Sequence, residues 1–269
     1  MDNVPEISIV IPCFNKAAFI GATLESIAAQ DFPGVEIIVQ DGGSTDGSVE
    51  VIRRFAEAHP GMVRWVSEPD GGQLNAINRG LAKARGAIVA EIDSDDLYRP
   101  GAFRRVAGYF RAHPGCLWVA GQGGIIDNAG VPVMGGVTAY KNLLLRLNRR
   151  ALLYMVNYIV QPAVFFRREA FERHGYFVGN ARFVLEYELW LRLARLHMPG
   201  VIPDYLADYR FTLGTISSTQ ADHLLAEDLE VVRGATRNPA LLGLHRLHNG
   251  LRKALLGGLK RAPDAARFR

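Results

Sequence analysis

Four times in its first 113 residues the chain passes from a short apolar stretch into a segment with helical spacing, and this alternation constrains the fold more than any other feature. A β-branched run over residues 6–12 precedes residues 17–30, where Phe19, Ile20, Leu24 and Ile27 recur at helical spacing. The order repeats as a strand over 35–40 and a helix over 45–59, a strand over 62–66 and a helix over 74–84, and a strand over 87–92 and a helix over 102–113. Parallel strands need crossover connections and are buried on both faces. Successive strand–helix units therefore predict an α/β fold with a Rossmann-like, mostly parallel sheet flanked by helices. A chain of 269 residues that is 49% hydrophobic has the apolar content for one compact domain with an appended tail.

After residues 117–120 the alternation fails. Gly121-Gln122-Gly123-Gly124 and Asn128-Ala129-Gly130 read as loop and hairpin turns, 140–158 as an apolar helix, 163–166 as a short strand, 185–197 as a helix and 201–209 as an extended segment. The expected organisation is a domain over 1–220, divided into halves at 120/121, followed by a helical basic tail over 221–269. The net charge of +4 is a property of that tail: residues 246–269 carry +6, leaving −2 for the rest.

Several classes are disfavoured. The longest apolar stretch, residues 151–166, is interrupted by Asn157, Gln161 and Pro162 and is shorter than the ~20 residues that span a bilayer. The first residues lack the basic-then-apolar pattern of a secretory leader, so a cytoplasmic location is expected. Cys13 and Cys116 stand without CxxC or Cys/His spacing and read as reduced structural thiols. The clustered basic residues have no matching aromatic stacking surface, so no nucleic-acid partner is expected. Neither G-x-G-x-x-G nor G-x-x-x-x-G-K-[ST] is present, which disfavours a dinucleotide dehydrogenase and a P-loop NTPase.

In an open parallel sheet ligands bind at the carboxyl ends of the strands, so those ends are the candidate site. They read Pro12-Cys13-Phe14-Asn15, Asp41-Gly42-Gly43-Ser44-Thr45-Asp46-Gly47, Glu68-Pro69-Asp70-Gly71-Gly72-Gln73 and Asp93-Ser94-Asp95-Asp96. Three of the four are acidic. That suits a hard cation carrying a diphosphate, because Mg2+ or Mn2+ takes one or two carboxylates plus phosphate oxygens. Ser44 or Asp46 could also simply cap the next helix. Asp41, by contrast, ends a buried strand where an idle carboxylate is costly, and three carboxylates within Asp93–Asp96 repel one another too strongly to serve as caps.

These ordered motifs, together with Ile7-Ser8-Ile9-Val10-Ile11 before Pro12, Ala76-Ile77-Asn78-Arg79-Gly80 and Glu186-Tyr187-Glu188-Leu189-Trp190-Leu191-Arg192, resemble inverting glycosyltransferase family 2, with the GT-A fold. The resemblance runs from about Ile7 to Ser218. It implies a nucleotide-sugar-binding half over 1–120 and an acceptor and catalytic-base half over 121–220. Pro12, Phe14, Asn15 and Asp41 would hold nucleobase and ribose, and Gly71, Gly72 and Arg79 would line the nucleotide. The fourth strand end is similar to the family's metal-binding D-x-D. Asp95 is then the chief metal ligand, Asp93 lies near ribose and metal, and Ser94 is counted with the nucleotide-sugar residues. Glu186 stands where relatives carry an aspartate as catalytic base, with Glu188 the alternative; Thr212 replaces a histidine found in many relatives.

The implied reaction moves a sugar from a nucleotide-diphosphate sugar to an acceptor hydroxyl with inversion, using Mn2+ or Mg2+ and no organic cofactor. The resemblance favours a UDP-sugar donor and a saccharide or lipid-linked acceptor in polysaccharide or glycoconjugate biosynthesis. A sugar-phosphate nucleotidyltransferase and a non-catalytic sugar-nucleotide-binding protein remain alternatives. Homo-oligomer formation stays open. So does peripheral contact with the inner face of the membrane through the tail, where Leu251, Leu255, Leu256 and Leu259 recur beside Arg252, Lys253, Lys260 and Arg261.

Overall fold

The structure is a computed structural model that describes residues 4–179, 184–212 and 221–261. Ser218 and the last basic residues, Arg267 and Arg269, lie outside the described residues. The chain divides into two compact units. One comprises Met1–Gly124, Val160–Tyr176 and Pro199–Tyr209, the other Ile125–Ile159, Phe177–Met198 and Arg210–Arg269.

The first unit is built on a sheet. Its strands are β1 (Ile7–Cys13), β2 (Val35–Asp41), β3 (Val63–Ser67), β4 (Ile88–Glu91), β5 (Leu97–Tyr98), β6 (Trp118–Ile126), β7 (Val164–Arg167) and β8 (Gly200–Arg210), with the last residues of β6 and β8 belonging to the second unit. The order is β3-β2-β1-β4-β7-β6-β8-β5. β1 pairs in parallel with β2 from Ile7↔Val35 to Cys13↔Asp41 and with β4 from Ile7↔Ile88 to Val10↔Glu91; β3 extends this parallel half beyond β2. β7 then joins β4 antiparallel, β6 joins β7 antiparallel, and β5 pairs antiparallel with β8.

The crossover helices are α1 (Ile20–Ala28), α2 (Ser48–Ala58), α3 (Gln73–Lys83) and α4 (Ala102–Ala112). Successive side chains of a strand point to opposite faces. Ile7, Ile9 and Ile11 accordingly share one core with Leu24, Ile52, Phe103 and Phe110 of the helices. Val10, on the other face, lies so close under α3 that a Cβ built at Gly80 would overlap it. Every residue of β1 is buried, as two covered faces require, whereas β3 at the sheet edge is half-exposed and its apolar run is correspondingly weak.

The residues read as a glycine loop, Gly121 to Gly124, lie inside β6. The glycines are there because neighbouring side chains occupy the space a Cβ would take: Leu206 over Gly121, Val160 over Gly123 and Asp208 over Gly124. The two-residue strand β5 was also not read from the sequence; it is too short to show a period.

The second unit is mostly helical in its described residues. It holds α5 (Gly135–Leu147), α6 (Arg150–Met155), α8 (Leu185–Ala194), α9 (Ala221–Ala235) and α10 (Pro239–Arg261), while α7 (Arg168–His174) belongs to the first unit. The single helix expected over 140–158 is two. Asn148 adopts a left-handed φ of 44° and ends α5, a conformation asparagine accepts more readily than most residues. Trp190 and Tyr187 are fully buried, and the Tyr187 hydroxyl reaches the Leu153 carbonyl. Arg210 donates to the Asp127 and Asn128 carbonyls at 2.6 and 3.0 Å. Among the described residues no helix is long and apolar enough to cross a membrane.

Candidate active site

The first two strand ends are laced together. Asp41 is buried, and its carboxylate accepts the backbone N–H groups of Gly43 (3.1 Å) and Ser44 (2.9 Å) and the hydroxyls of Ser44 (2.5 Å) and Ser67 (2.6 Å). Burial alone would raise its pKa, but these hydrogen bonds, those of Ser44 and Ser67 foremost, outweigh it and hold the carboxyl below its ordinary range. Asp41 thus enters the site as a fixed anion that shapes its own loop. Asn15, at φ 53°, closes the other side: its N–H donates to Ser44 Oγ at 2.8 Å and its side-chain oxygen accepts the Thr45 N–H at 2.9 Å. Asp46 accepts the Ser48 N–H at 3.0 Å just before α2, whose N-cap position is Gly47. Pro12 is buried in β1 and Phe14 stands exposed just beyond it.

At the third strand end, Gly71 and Gly72 have φ of 79° and 111°, a region that favours glycine, and they turn the chain into α3. Asp70 fixes the turn by accepting the Gly72 N–H at 2.7 Å. Arg79, nearly two turns into α3, is exposed and paired with Glu68 at 3.1 Å. Gln73, the first residue of α3, donates to Asp93 at 2.7 Å, tying the third strand end to the fourth.

The fourth strand end carries the densest negative charge in the unit. Ser94, Asp95 and Asp96 are buried, and Asp93 is half-buried. The Lys16 ammonium forms an ion pair with Asp95. Burial works against the Lys16 charge, but Asp95 first, then Asp93 and Asp96, hold its pKa above the ordinary value. Lys16 was not among the sequence candidates, because its partner Asp95 lies 79 positions away in the chain. Beneath it, burial and the Asp41 charge push the Cys13 thiol up to about 12, so that side chain is an inert packing group.

Among the described residues no three His, Cys, Asp or Glu side chains gather as a metal-ligand set. A divalent cation that arrives with a diphosphate needs only one or two carboxylates from the protein, and Asp95 with Asp93 fits that donor chemistry.

In the second unit Glu186 and Glu188 both lie in the first turn of α8, where the helix dipole favours carboxylates. Their surroundings differ. Glu188 accepts hydrogen bonds from Arg192 at 3.1–3.3 Å. Glu186 makes no ion pair among the described residues. Burial lifts its pKa; a hydrogen bond from its own backbone and the Lys141 ammonium partly offset the rise, and the Asp228 carboxylate adds to it. Lys141 is depressed to about 8, by burial first and then by Arg252. Asp228 itself binds Arg252 at 3.2 Å, and Thr212 donates to Asn128 at 2.6 Å.

A sheet whose parallel half ends in acidic loops, extended by antiparallel strands, defines the chain as a GT-A protein. It belongs to glycosyl transferase family 2, whose family model matches residues 8–175. It is 29% identical over 223 residues to a PGL/p-HBAD biosynthesis glycosyltransferase of Mycobacterium bovis, covering 81% of each chain. It is 35% identical over 102 residues to the hyaluronan synthase of Pasteurella multocida, covering 38% of this chain and 10% of that one. An uncharacterized Nostoc glycosyltransferase is 34% identical over 106 residues, of which 33% of its own length is spanned. Among solved structures, the mannosyltransferase PcManGT of Pyrobaculum calidifontis, in complex with GDP-Man and Mn2+, superposes with a TM-score of 0.69 at 22% identity, over 97% of this chain and 78% of that one. Residues 1–349 of Staphylococcus aureus TarS give 0.64 at 18% identity, over 96% of this chain and 75% of that one.

Proposed function

We propose that the chain is an inverting glycosyltransferase that moves a sugar from a nucleotide-diphosphate sugar, a UDP-sugar by preference, to a hydroxyl of a saccharide or lipid-linked acceptor in polysaccharide or glycoconjugate biosynthesis. The observation that carries this reading is the fourth strand end, where Asp95 lies buried against the Lys16 ammonium and Asp93 is held by Gln73. Solved structures of similar fold hold GDP-Man with Mn2+ and UDP-GlcNAc, which supports a nucleotide-sugar donor.

The residues divide the work. The loop ordered by Asp41 and Asn15, with Pro12 and Phe14, receives nucleobase and ribose; Gly71, Gly72, Arg79 and Ser94 line the nucleotide. Asp95 and Asp93 would hold Mn2+ or Mg2+, which when bound neutralises charge on the leaving diphosphate. Lys16, a cation beside the same carboxylates, neutralises Asp95 before the donor arrives and is placed to donate to an incoming phosphate oxygen. Glu186 takes the acceptor hydroxyl's proton as that oxygen attacks the anomeric carbon from the side opposite the diphosphate, so the centre inverts. Glu188 is the weaker candidate because Arg192 already engages it. By this reading the nucleotide-sugar functions lie within residues 1–120 and the acceptor functions within 121–220.

Incubation with UDP-, GDP- and dTDP-sugars, metal and candidate acceptors tests the proposal through its by-product. Release of nucleoside diphosphate with inverted product is expected. Release of pyrophosphate would make the chain a nucleotidyltransferase, and donor binding without transfer or hydrolysis would make it a binding protein.

A further inference from the structure

The second unit carries an apolar surface on two of its helices. On α10, Leu244, Leu247, Leu251 and Leu255 are 44%, 63%, 64% and 49% exposed, and spacings of three and four residues put them on one face. On α5, Tyr140, Leu143 and Leu147 are 42%, 56% and 52% exposed with the same spacing. The two rows are joined: the Tyr140 ring stacks on His248 at 6.1 Å, and His248 lies one helical turn from both Leu244 and Leu251.

Charge on this surface is segregated. No Asp or Glu occurs anywhere in residues 128–168 or in Pro239–Arg261. Arg146, Arg149 and Arg150 are exposed and form no ion pair among the described residues, while Arg252 and Lys253 are engaged by Asp228 and Asp222 of α9. Three exposed guanidinium groups, one on α5 and two at or beside the start of α6, therefore share an acid-free stretch of chain with the α5 row.

We infer that α5 and α10 together form a docking surface for an anionic lipid bilayer, with the leucines and Tyr140 entering the interface and Arg146, Arg149 and Arg150 meeting lipid headgroups. Long basic side chains can extend from an apolar face to the headgroup layer. A second copy of the chain fits the charge less well. A two-fold interface sets the same patch against itself, and here it would face arginine against arginine with no carboxylate on either helix to pair.

Co-sedimentation of the full chain with vesicles of phosphatidylcholine alone, and of phosphatidylcholine mixed with phosphatidylglycerol, tests the inference independently of sugar transfer. Binding to the mixed vesicles should exceed binding to the neutral ones at least about tenfold and fall as salt is raised. Leu247→Asp with Leu251→Asp should reduce it at least about tenfold. So should joint replacement of Arg146, Arg149 and Arg150 by Gln, which alters only exposed side chains and leaves the circular dichroism spectrum unchanged. Equal retention on both vesicle types, or unchanged retention of the glutamine variant, would overturn the inference. A chain that self-associates through this face, becomes monomeric with the leucine changes and is never retained by vesicles would assign the surface to a second copy instead.

Discussion

At the scale of single residues, the proposed roles fall on carboxylates whose surroundings differ. Asp95 is buried and paired with Lys16, and Asp95→Asn removes its charge at nearly unchanged size. We expect the fold to survive and metal-dependent donor affinity to fall at least about tenfold, read by titration calorimetry with and without Mn2+. Unchanged affinity would remove Asp95 from the metal site. Glu186 is the opposite case, a carboxyl whose pKa is raised by burial. A general base works only when deprotonated, so activity should fall as pH drops through that raised value, placing the acid limb of the kcat profile above the ordinary glutamate range of about 4.3. Lys141 favours the charged form, and Lys141→Met should move the limb to still higher pH. Glu186→Gln should cut kcat about a hundredfold with donor KM unchanged. Near-normal turnover would hand the role to Glu188. The acidic strand ends were legible because like charges crowded at a strand terminus have few structural uses. Lys16, Gln73 and Lys141 were not, because what they do depends on distant partners, for Lys16 on a residue 79 positions away.

At the scale of elements, the parallel half was readable strand by strand, since burial on both faces writes continuous apolar runs into β1, β2 and β4. The antiparallel half was not. Its central strand β6 holds three glycines, which in sequence signal a turn. Only the fold shows that Val160, Leu206 and Asp208 fill the missing side-chain volume. A methyl group at Gly123 would overlap the Val160 side chain. Gly123→Ala should therefore destabilise the chain by about 1–3 kcal/mol, the usual cost of overpacking a filled core. Urea unfolding measures it, and a change within error would mean that Val160 yields freely.

At the scale of the whole chain, each unit is assembled from three separate segments, so the backbone passes from one to the other five times. β7, from residues 164–167, supplies the neighbour of β4, and β8, from 200–210, supplies the neighbour of β5. Residues 1–124 expressed alone would leave those edges open as templates for intermolecular pairing. We expect that fragment to aggregate, whereas the full chain stays dispersed; size-exclusion chromatography distinguishes them. The interleaving also limits how such a protein can be recombined. The second unit could not be transplanted whole as one contiguous cassette, because the block that spans its three segments would carry β7 and β8 of the first unit with it. Diversification is left to substitutions and loop insertions scattered through the gene.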